Sequence, residues 1–523
     1  MKSVEILDTT LRDGAQGAGI SFSVDDRLRI AEALDRLGIP LIEAGSLGFN
    51  PRNDEFFDRG SRLRLKHAKL CAFGATRRKN QTVDADQNLQ NLLKANTPAV
   101  SVFGKAWGLH VEKVLGTTMD ENLSMIYDSC AFLARRGKSK RAIFDAEHFF
   151  EGYLADRDYA LAVLEAAKSG GADTLVLCDT NGGTMPSCIS RIVEDVCKKF
   201  PGVRVGIHCH NDSGTAVANT LMAVEAGATH VQGTFLGFGE RCGNACLASV
   251  IPNLQLKSGY NCIPGGNLPL LTSVAREIAE IANVTLPDSE PYVGGSAFTH
   301  KAGMHCDGML KTDRSFEHIP PEAVGNERRF LISEITGRTA LIEKVRSFLP
   351  NIDKDSKEAK LIIDRLKQME YEGYQFEAAQ ASFELVVRRE LGRFAPSFRL
   401  VSYRIVDALP FEDGLSASAT IKIRVDGTQQ EASCRGNGPV NALDLALRQA
   451  LSVFYPQIRD MRLVDYKVRV ITPKAATAAM VRVLITSADH ERTWTTVGVC
   501  EDIIKASWIA LVDSIEYILN KEL

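Results

Sequence analysis

The chain has 523 residues, of which 45% are hydrophobic and 24% are charged, so it is too long for one hydrophobic core and predicts two to four domains. A formal net charge of -3, without a run of like charges, excludes a basic nucleic-acid-binding face. The sequence shows no signal-peptide pattern and no apolar run of ~18 residues, so we expect a cytoplasmic protein that does not enter a membrane.

Apolar β-type runs alternate with helical patterns through the first half of the chain. The eight runs are Val4–Leu7, Pro40–Glu43, Lys69–Phe73, Ala99–Phe103, Ala142–Phe144, Thr174–Cys178, Val203–His208 and His230–Gly233. This alternation, with helical segments such as 24–38, 120–137 and 213–227, predicts a parallel (β/α)8 TIM barrel. A doubly wound sheet would carry a Gly-rich phosphate turn after its first strand, and the sequence LDTTLRDG there is not such a turn.

The pattern changes twice after the predicted barrel. Residues 270–390 have helical and irregular character, with helical periodicity at 271–284 and 356–373. From Phe394 onwards, strand-like runs at 397–408, 416–427 and 465–472 combine with helical segments at 439–454 and 502–519 into a crude strand–strand–helix repeat. We therefore predict a TIM-barrel catalytic domain at 1–265, a mostly helical linker at 266–392, and a C-terminal α+β regulatory or assembling domain at 393–523.

The twelve cysteines are scattered through apolar segments, which is typical of reduced, buried thiols. Cys242 and Cys246 form one isolated C-x-x-x-C, whereas a structural zinc site would need a second pair. The cysteines therefore predict neither disulfides nor zinc.

Polar residues follow the predicted strands at the end where TIM barrels hold their reactive groups. Because His208 and His210 are two residues apart on a strand, their side chains project to the same face. With Asp13 they offer a two-histidine, one-carboxylate set suited to Mn, Fe, Co or Zn, and able to accept Mg. Asn244 offers an amide oxygen that can complete the site. An isolated H-x-H is more often a pair of core histidines, but the strand position and the flanking polar residues favour a metal site.

Two further residues have both a functional and an ordinary interpretation. Arg12 can stabilise a developing oxyanion, although Arg12 and Asp13 could also form a surface ion pair. Glu147 can act as a base or be a solvated carboxylate at a helix start.

Three motifs resemble those of the 2-isopropylmalate, homocitrate and citramalate synthase family. They are DTTLRDG at 8–14, GIHCHND at 206–212 and GTFLGFGERCGN at 233–244. The resemblance continues through FTHKAGMH at 298–305 and the segments 436–447 and 496–519. EHIPPEAVGNERR at 317–329 and the segment 373–389 are most similar to the citramalate synthase branch.

The resemblance implies a metal-dependent condensation of acetyl-CoA with a 2-oxo acid, expected to be pyruvate, or a bulkier oxo acid in a 2-isopropylmalate or homocitrate synthase. It implies a divalent metal (Mn, Mg, Zn or Co), a homodimer, a role in isoleucine biosynthesis and feedback by an amino-acid effector, with isoleucine expected. The roles it implies are metal binding by Asp13, His208, His210 and Asn244, ketone polarisation by Arg12, oxo-acid contact by Glu147 and Thr180, and help in proton abstraction by His305, with His300 as a second candidate.

The chain departs from the family pattern at two places. Phe316 stands where the family has a catalytic Tyr, and AGSLGFNP at 44–51 stands where the branch has GGWPGSNP. A lyase or aldolase on the same barrel is one alternative, which the C-terminal module disfavours. A non-catalytic effector-binding protein is another, which the intact metal-ligand set disfavours because such a buried cluster is costly without a metal.

Overall fold

The structure is a computed structural model that describes residues 2–520, apart from 49, 137–140, 302, 313, 331–341, 343–344, 347, 350–351, 354–355, 408–415, 472–478 and 491. The chain divides into two compact units. The first comprises Met1–Phe298 and Ile319–Arg328, and the second comprises Thr299–His318 and Arg329–Leu523. The domain boundaries at 265 and 392 stay predictions.

The first unit is a closed barrel of eight parallel strands in sequence order, which confirms the predicted fold class. The strands are β1 (Glu5–Asp8), β2 (Leu41–Glu43), β3 (Lys69–Ala75), β4 (Ala99–Lys105), β5 (Arg141–Glu147), β6 (Thr174–Asp179), β7 (Arg204–Cys209) and β8 (His230–Gly233). Strand β6 is buried at every position, as expected for a parallel strand that is covered on both faces. Pairing of β1 with β8 closes the barrel.

Helices surround the barrel. They are α1 (Val24–Leu37), α2 (Pro51–Gly60), α3 (Gln87–Lys94), α4 (Met119–Arg136), α5 (Phe149–Ala155), α6 (Arg157–Ser169), α7 (Pro186–Lys199), α8 (Ala216–Glu225), α9 (Leu247–Pro252) and α10 (Leu271–Ile281). Helix α1 begins at a capping box between Ser23 and Asp26 and ends at Gly38 in the left-handed conformation. Helix α10 packs against α1, so it belongs to the barrel unit.

The barrel interior is apolar in its middle and polar at its ends. The apolar layer consists of Leu7, Leu41, Cys71, Ala99, Ile143, Val176 and Cys178. At the N-terminal ends of the strands, Glu5 forms ion pairs with Arg141, Arg204 and His230. At the opposite ends lie Arg12 and Glu147, which the sequence assigns to catalysis, and the predicted metal ligands Asp13, His208 and His210.

The second unit contains two antiparallel three-stranded sheets and their helices. Its elements are β9 (Thr299–His300), α11 (Gly303–Lys311), β10 (Arg329–Phe330), α12 (Lys357–Tyr371), α13 (Gln380–Glu390), β11 (Arg399–Asp407), β12 (Ala417–Val425), β13 (Thr428–Gly436), α14 (Pro439–Leu451), β14 (Arg462–Val470), β15 (Val481–Ala488), β16 (Thr493–Cys500) and α15 (Ile503–Leu519). The repeat predicted as strand–strand–helix is in fact three strands followed by a helix, because β13 and the pair β15–β16 complete each sheet. Helix α14 packs on β12 and β13, and α15 packs on β15 and β16.

All twelve cysteines are free, as their scattered spacing predicts. Within the described part of the chain, no helix has the length and apolar character needed to cross a membrane.

Candidate active site

The turn after β1 buries Asp13 at the C-terminal end of the barrel. The backbone amides of Asp13 and Gly14 both donate to the carbonyl of Thr9, at 2.9 and 3.1 Å. The Asp8 carboxylate accepts from the amide of Thr10 at 2.8 Å and tightens the same turn. Asp13 is only 2% exposed, although a lone buried carboxylate is costly. The surrounding groups must therefore compensate its charge.

Two histidines of β7 and its continuation meet Asp13. His208 Nε2 lies 3.2 Å and His210 Nε2 lies 3.8 Å from Asp13 Oδ2. The ligand atoms of all three residues lie within 4.8 Å of one another, and all three residues are buried. The structure therefore brings together the three residues that the sequence predicts as metal ligands.

Asn244 is held beside this cluster by a β-bridge between its backbone and that of His210. Its Nδ2 donates to the carbonyl of Phe238 at 3.1 Å, whereas its buried Oδ1 has no hydrogen-bond partner among the described residues. A buried oxygen without a partner is unfavourable. Together with the carboxylate and imidazoles, this oxygen fits the donor set of a divalent cation.

The protonation states of Asp13 and His210 also fit metal binding. Burial alone would raise the pKa of Asp13, but the Arg12 guanidinium and His208 hold it well below its usual range. Burial and the neighbouring His208 lower the pKa of His210 to about 4. A carboxylate and a neutral imidazole are the forms that coordinate metals. Burial alone would lower the pKa of His208, but the hydrogen bond and charge of Asp13 raise it, so a cation at His208 would have to displace a proton.

Arg12 is fixed in the site by three contacts. Its Nε donates to Glu43 Oε2 at 2.6 Å, its Nη1 lies 3.5 Å from Asp13 Oδ2, and its guanidinium lies 3.9 Å from the ring centroid of Phe73. Burial would lower the pKa of Arg12, but the carboxylates of Glu43 and Asp13 raise it above its ordinary value. Arg12 therefore presents a positive charge of fixed orientation.

Glu147 and Thr180 lie on neighbouring strand ends. Glu147 at the end of β5 forms an ion pair with Lys105. The Thr180 hydroxyl, which follows β6, accepts from the amide of His148 at 2.9 Å. His148 has a φ of 57°, in the left-handed region that His adopts more often than most residues, and burial lowers its pKa to about 3. His148 therefore connects the two predicted substrate-contacting positions.

These groups surround a cavity of about 250 Å³. Its lining comprises Arg12, Asp13, Gln16, Phe73, Phe103, Asp145, Glu147, Cys178, Thr180, His208, His210, Glu240 and Arg241. The rings of Phe73 and Phe103 stack at a centroid distance of 5.3 Å and form an apolar wall. The cavity therefore combines charged groups with one apolar wall.

The sequence analysis missed Glu43, Phe73, Phe103 and Lys105 as site residues. Glu43, Phe73 and Phe103 are the last residues of the predicted strands two, three and four. Their positions could have identified them, because TIM barrels hold their reactive groups at the C-terminal ends of the strands. These three strand ends carry few neighbouring polar residues, unlike the ends of strands one, five, six and seven. The ion pair of Lys105 with Glu147 depends on the pairing of β4 with β5 and has no signal in the sequence.

His305 and His300 belong to the second unit. The ring of exposed His305 stacks on Phe316 at 4.1 Å, so the residue that replaces the expected Tyr contacts the predicted proton-abstraction helper. His300 is buried, and its Nε2 lies 3.0 Å from Glu317 Oε1. Of these two histidines, His305 is the accessible one.

Comparison with known proteins matches three family models in chain order. Residues 3–278 match the HMGL-like family, residues 292–373 match the homocitrate synthase post-HMGL domain, and residues 377–519 match the LeuA allosteric (dimerisation) domain. The (R)-citramalate synthase of Aquifex aeolicus is 52% identical, with 100% of this chain and 98% of that protein covered. That of Synechocystis is 49% identical over 98% and 96% of the two chains, and the 2-isopropylmalate synthase of Methanocaldococcus jannaschii is 29% identical over 99% and 95%.

Proposed function

The chain belongs to the (R)-citramalate synthase family, and we propose from this that it condenses acetyl-CoA with pyruvate to give citramalate and free CoA. The methyl carbon of acetyl-CoA loses a proton and forms a carbon–carbon bond to the ketone carbon of pyruvate, whose oxygen becomes an alkoxide and is then protonated. Water hydrolyses the thioester of the adduct and releases the thiol of CoA. The cluster of Asp13, His208 and His210 beside Arg12 is the observation that carries this proposal.

We propose Asp13, His208, His210 and Asn244 as ligands of a divalent cation, with Mn, Mg, Zn and Co as the candidates. When bound, the cation would act as a Lewis acid on the carboxylate and ketone oxygens of the oxo acid. Arg12 donates to the ketone oxygen as negative charge develops there, and its ion pair with Glu43 holds it in place. Because the guanidinium is already oriented, it adds little reorganisation cost when the charge forms.

The proton of the acetyl methyl group needs a base near the ketone carbon. Glu147 is our candidate, because its carboxylate lines the cavity and Lys105 orients it. The hydroxyl of Thr180 lines the same cavity and binds the oxo acid in this proposal. We assign His305 as a helper in proton abstraction, since its imidazole is exposed and Phe316 next to it carries no hydroxyl group.

We propose that the aromatic wall of the cavity limits the size of the oxo acid and favours pyruvate over a bulkier one. The stacked rings of Phe73 and Phe103 form one wall of the cavity. The side chain of pyruvate is a single methyl group, whereas 2-oxoisovalerate would place a branched group against these rings.

Substitution of the metal ligands tests the proposed function. Asp13→Asn and His208→Ala should each lower Mn²⁺ affinity and reduce thiol release from acetyl-CoA and pyruvate by at least about 10³-fold. The control is Asp195→Asn, which removes a carboxylate paired with Arg157 on the outside of the barrel and should leave both quantities unchanged. Wild-type turnover and Mn²⁺ binding in either ligand variant would refute the assignment.

The match of residues 377–519 to an allosteric (dimerisation) domain supports a dimeric enzyme. We further propose that the protein is a cytoplasmic homodimer in isoleucine biosynthesis and that isoleucine is its inhibitor. Addition of isoleucine should lower the rate of thiol release more than equal leucine does, and an equal response to both would remove isoleucine from the proposal.

A further inference from the structure

A chain of buried hydrogen bonds crosses the barrel interior behind His208. Ser101 Oγ on β4 donates to Asp145 Oδ2 on β5 at 2.6 Å. Gln232 Nε2 on β8 donates to Asp145 Oδ1 at 2.9 Å, and Gln232 Oε1 lies 3.0 Å from His208 Nδ1. Ser101 and Gln232 are fully buried, and Asp145 and His208 are at most 5% exposed. Because β5 and β8 are not neighbours in the barrel, the contact between Gln232 and Asp145 spans its interior.

The donors and acceptors along this chain permit one arrangement. An ionised carboxylate only accepts hydrogen bonds, so Asp145 requires the amide nitrogen of Gln232 to face it. The amide oxygen of Gln232 then faces His208, and an oxygen acceptor requires a hydrogen on His208 Nδ1. The oxygen and nitrogen of the Gln232 amide have nearly the same shape, so packing does not distinguish them. The hydrogen bond to the Asp145 carboxylate therefore determines which of the two faces His208.

We propose that Asp145 and Gln232 are positioning residues that hold His208 in the tautomer with hydrogen on Nδ1. This tautomer leaves the lone pair of Nε2, which lies 3.2 Å from Asp13 Oδ2, available to a divalent cation. A reversed amide would place its NH2 group against Nδ1 and the hydrogen on Nε2, which could then not coordinate. The inference rests on the metal site of the proposed function.

His210 provides a contrast within the same site. Its buried Nδ1 has no hydrogen-bond partner in the described part of the chain. The hydrogen-bond chain therefore acts on one of the two histidines, and we assign His208 as the ligand that is oriented before the cation binds.

The first test measures Mn²⁺ affinity directly, from the electron paramagnetic resonance signal of free Mn²⁺. Gln232→Met keeps the length of the side chain but removes both hydrogen bonds, and it should weaken Mn²⁺ binding about 10–100-fold. The matched control is Ser101→Ala, which also removes a buried hydrogen bond to Asp145 but leaves the carboxylate facing Gln232. Ser101→Ala should change the Mn²⁺ affinity by less than about threefold.

A second pair of variants separates tautomer control from packing. Gln232→Glu places two carboxylates against each other and should weaken Mn²⁺ binding. In the double variant Gln232→Glu/Asp145→Asn, the amide of residue 145 donates to the new carboxylate, which accepts from His208 Nδ1, so the affinity should return to within about threefold of wild type. This pair decides the question even if Gln232→Met does not fold.

Four outcomes contradict parts of the account in different ways. If the wild-type chain binds no Mn²⁺, the proposed metal site is wrong. If the wild type binds Mn²⁺ but folded Gln232→Met binds it equally well, or Ser101→Ala loses as much affinity as Gln232→Met, the positioning role is wrong. Failure of the double variant to recover any affinity lost by Gln232→Glu, with both variants folded by circular dichroism, would also overturn it.

Discussion

Replacement of Glu5 by Gln should destabilise the barrel without affecting its chemistry. Glu5 accepts four hydrogen bonds, two from Arg141 at 2.6 and 3.0 Å, one from Arg204 at 3.0 Å and one from His230 Nδ1 at 3.0 Å. One of these contacts is to Oε1 and three are to Oε2. Glutamine has one accepting oxygen, so the substitution removes at least one contact, takes the negative charge from the others and turns an NH2 group towards a cation.

The expected loss of stability follows from these contacts. A hydrogen bond to a charged group contributes ~1.5–3 kcal/mol. The side chains of Arg141 and Arg204 are 29% and 40% exposed, so water can replace part of the hydrogen bonding that they lose. His230 is fully buried, so water cannot replace its hydrogen bond to Glu5. We therefore expect Glu5→Gln to reduce the free energy of unfolding of the barrel by about 2 kcal/mol at neutral pH.

The pH dependence gives a second, independent test. Burial alone would raise the pKa of Glu5, but His230 and Arg141 lower it below its ordinary value. The lowered pKa stabilises the folded state above the unfolded-state pKa of about 4.3, and this contribution is lost as the pH falls. The difference between wild type and Glu5→Gln should therefore shrink, by about 1 kcal/mol at about pH 3.5.

Urea unfolding followed by circular dichroism measures the difference, and hydrogen exchange of peptides from β5 and β7 assigns the transition to the barrel. Thiol release at neutral pH should stay within about twofold of wild type, since this end of a barrel serves stability. Unchanged stability, a difference that grows on acidification, or a large loss of turnover would refute the reasoning.

Three other substitutions test the site. Arg12→Lys should lower kcat/KM by about 10²–10³-fold while the Mn²⁺ affinity stays within about threefold of wild type, because the substitution removes an oriented oxyanion donor but no metal ligand. An equal loss of kcat/KM and Mn²⁺ affinity would contradict this role of Arg12. Gly239→Ala should weaken Mn²⁺ binding, because its Cβ would lie 2.1 Å from Asn244 Nδ2 at a φ of 154°, and unchanged affinity would argue against Asn244 as a ligand. Phe103→Ala should lower the KM for 2-oxoisovalerate relative to that for pyruvate, and an unchanged ratio would remove the aromatic wall as the size limit.

The barrel was predictable from the sequence because each strand is a short apolar run and each connection has helical periodicity. Strand β3 contains the predicted run Lys69–Phe73 and continues for two further residues, and β8 coincides with the predicted run His230–Gly233. The C-terminal module was predicted less completely, because β13 (Thr428–Gly436) is mostly polar and exposed and has little apolar alternation.

The site could be predicted where a residue lies at the C-terminal end of its strand or in the turn that follows. Asp13, His208 and His210 lie close together because parallel strands bring their C-terminal ends to one face. The pairing of Arg12 with Glu43 and the contact of Gln232 with Asp145 could not be predicted, because they depend on the directions of side chains from strands far apart in sequence.

The most direct test of the proposed function is the release of free thiol from acetyl-CoA by the purified chain with Mn²⁺, measured against pyruvate, 2-oxobutyrate, 2-oxoisovalerate and 2-oxoglutarate. The proposed function predicts the highest kcat/KM with pyruvate, loss of thiol release on addition of a chelator, and recovery when Mn²⁺ is restored. Preference for 2-oxoisovalerate or 2-oxoglutarate would contradict the pyruvate assignment, and no thiol release with any of the four acids would contradict the synthase activity itself.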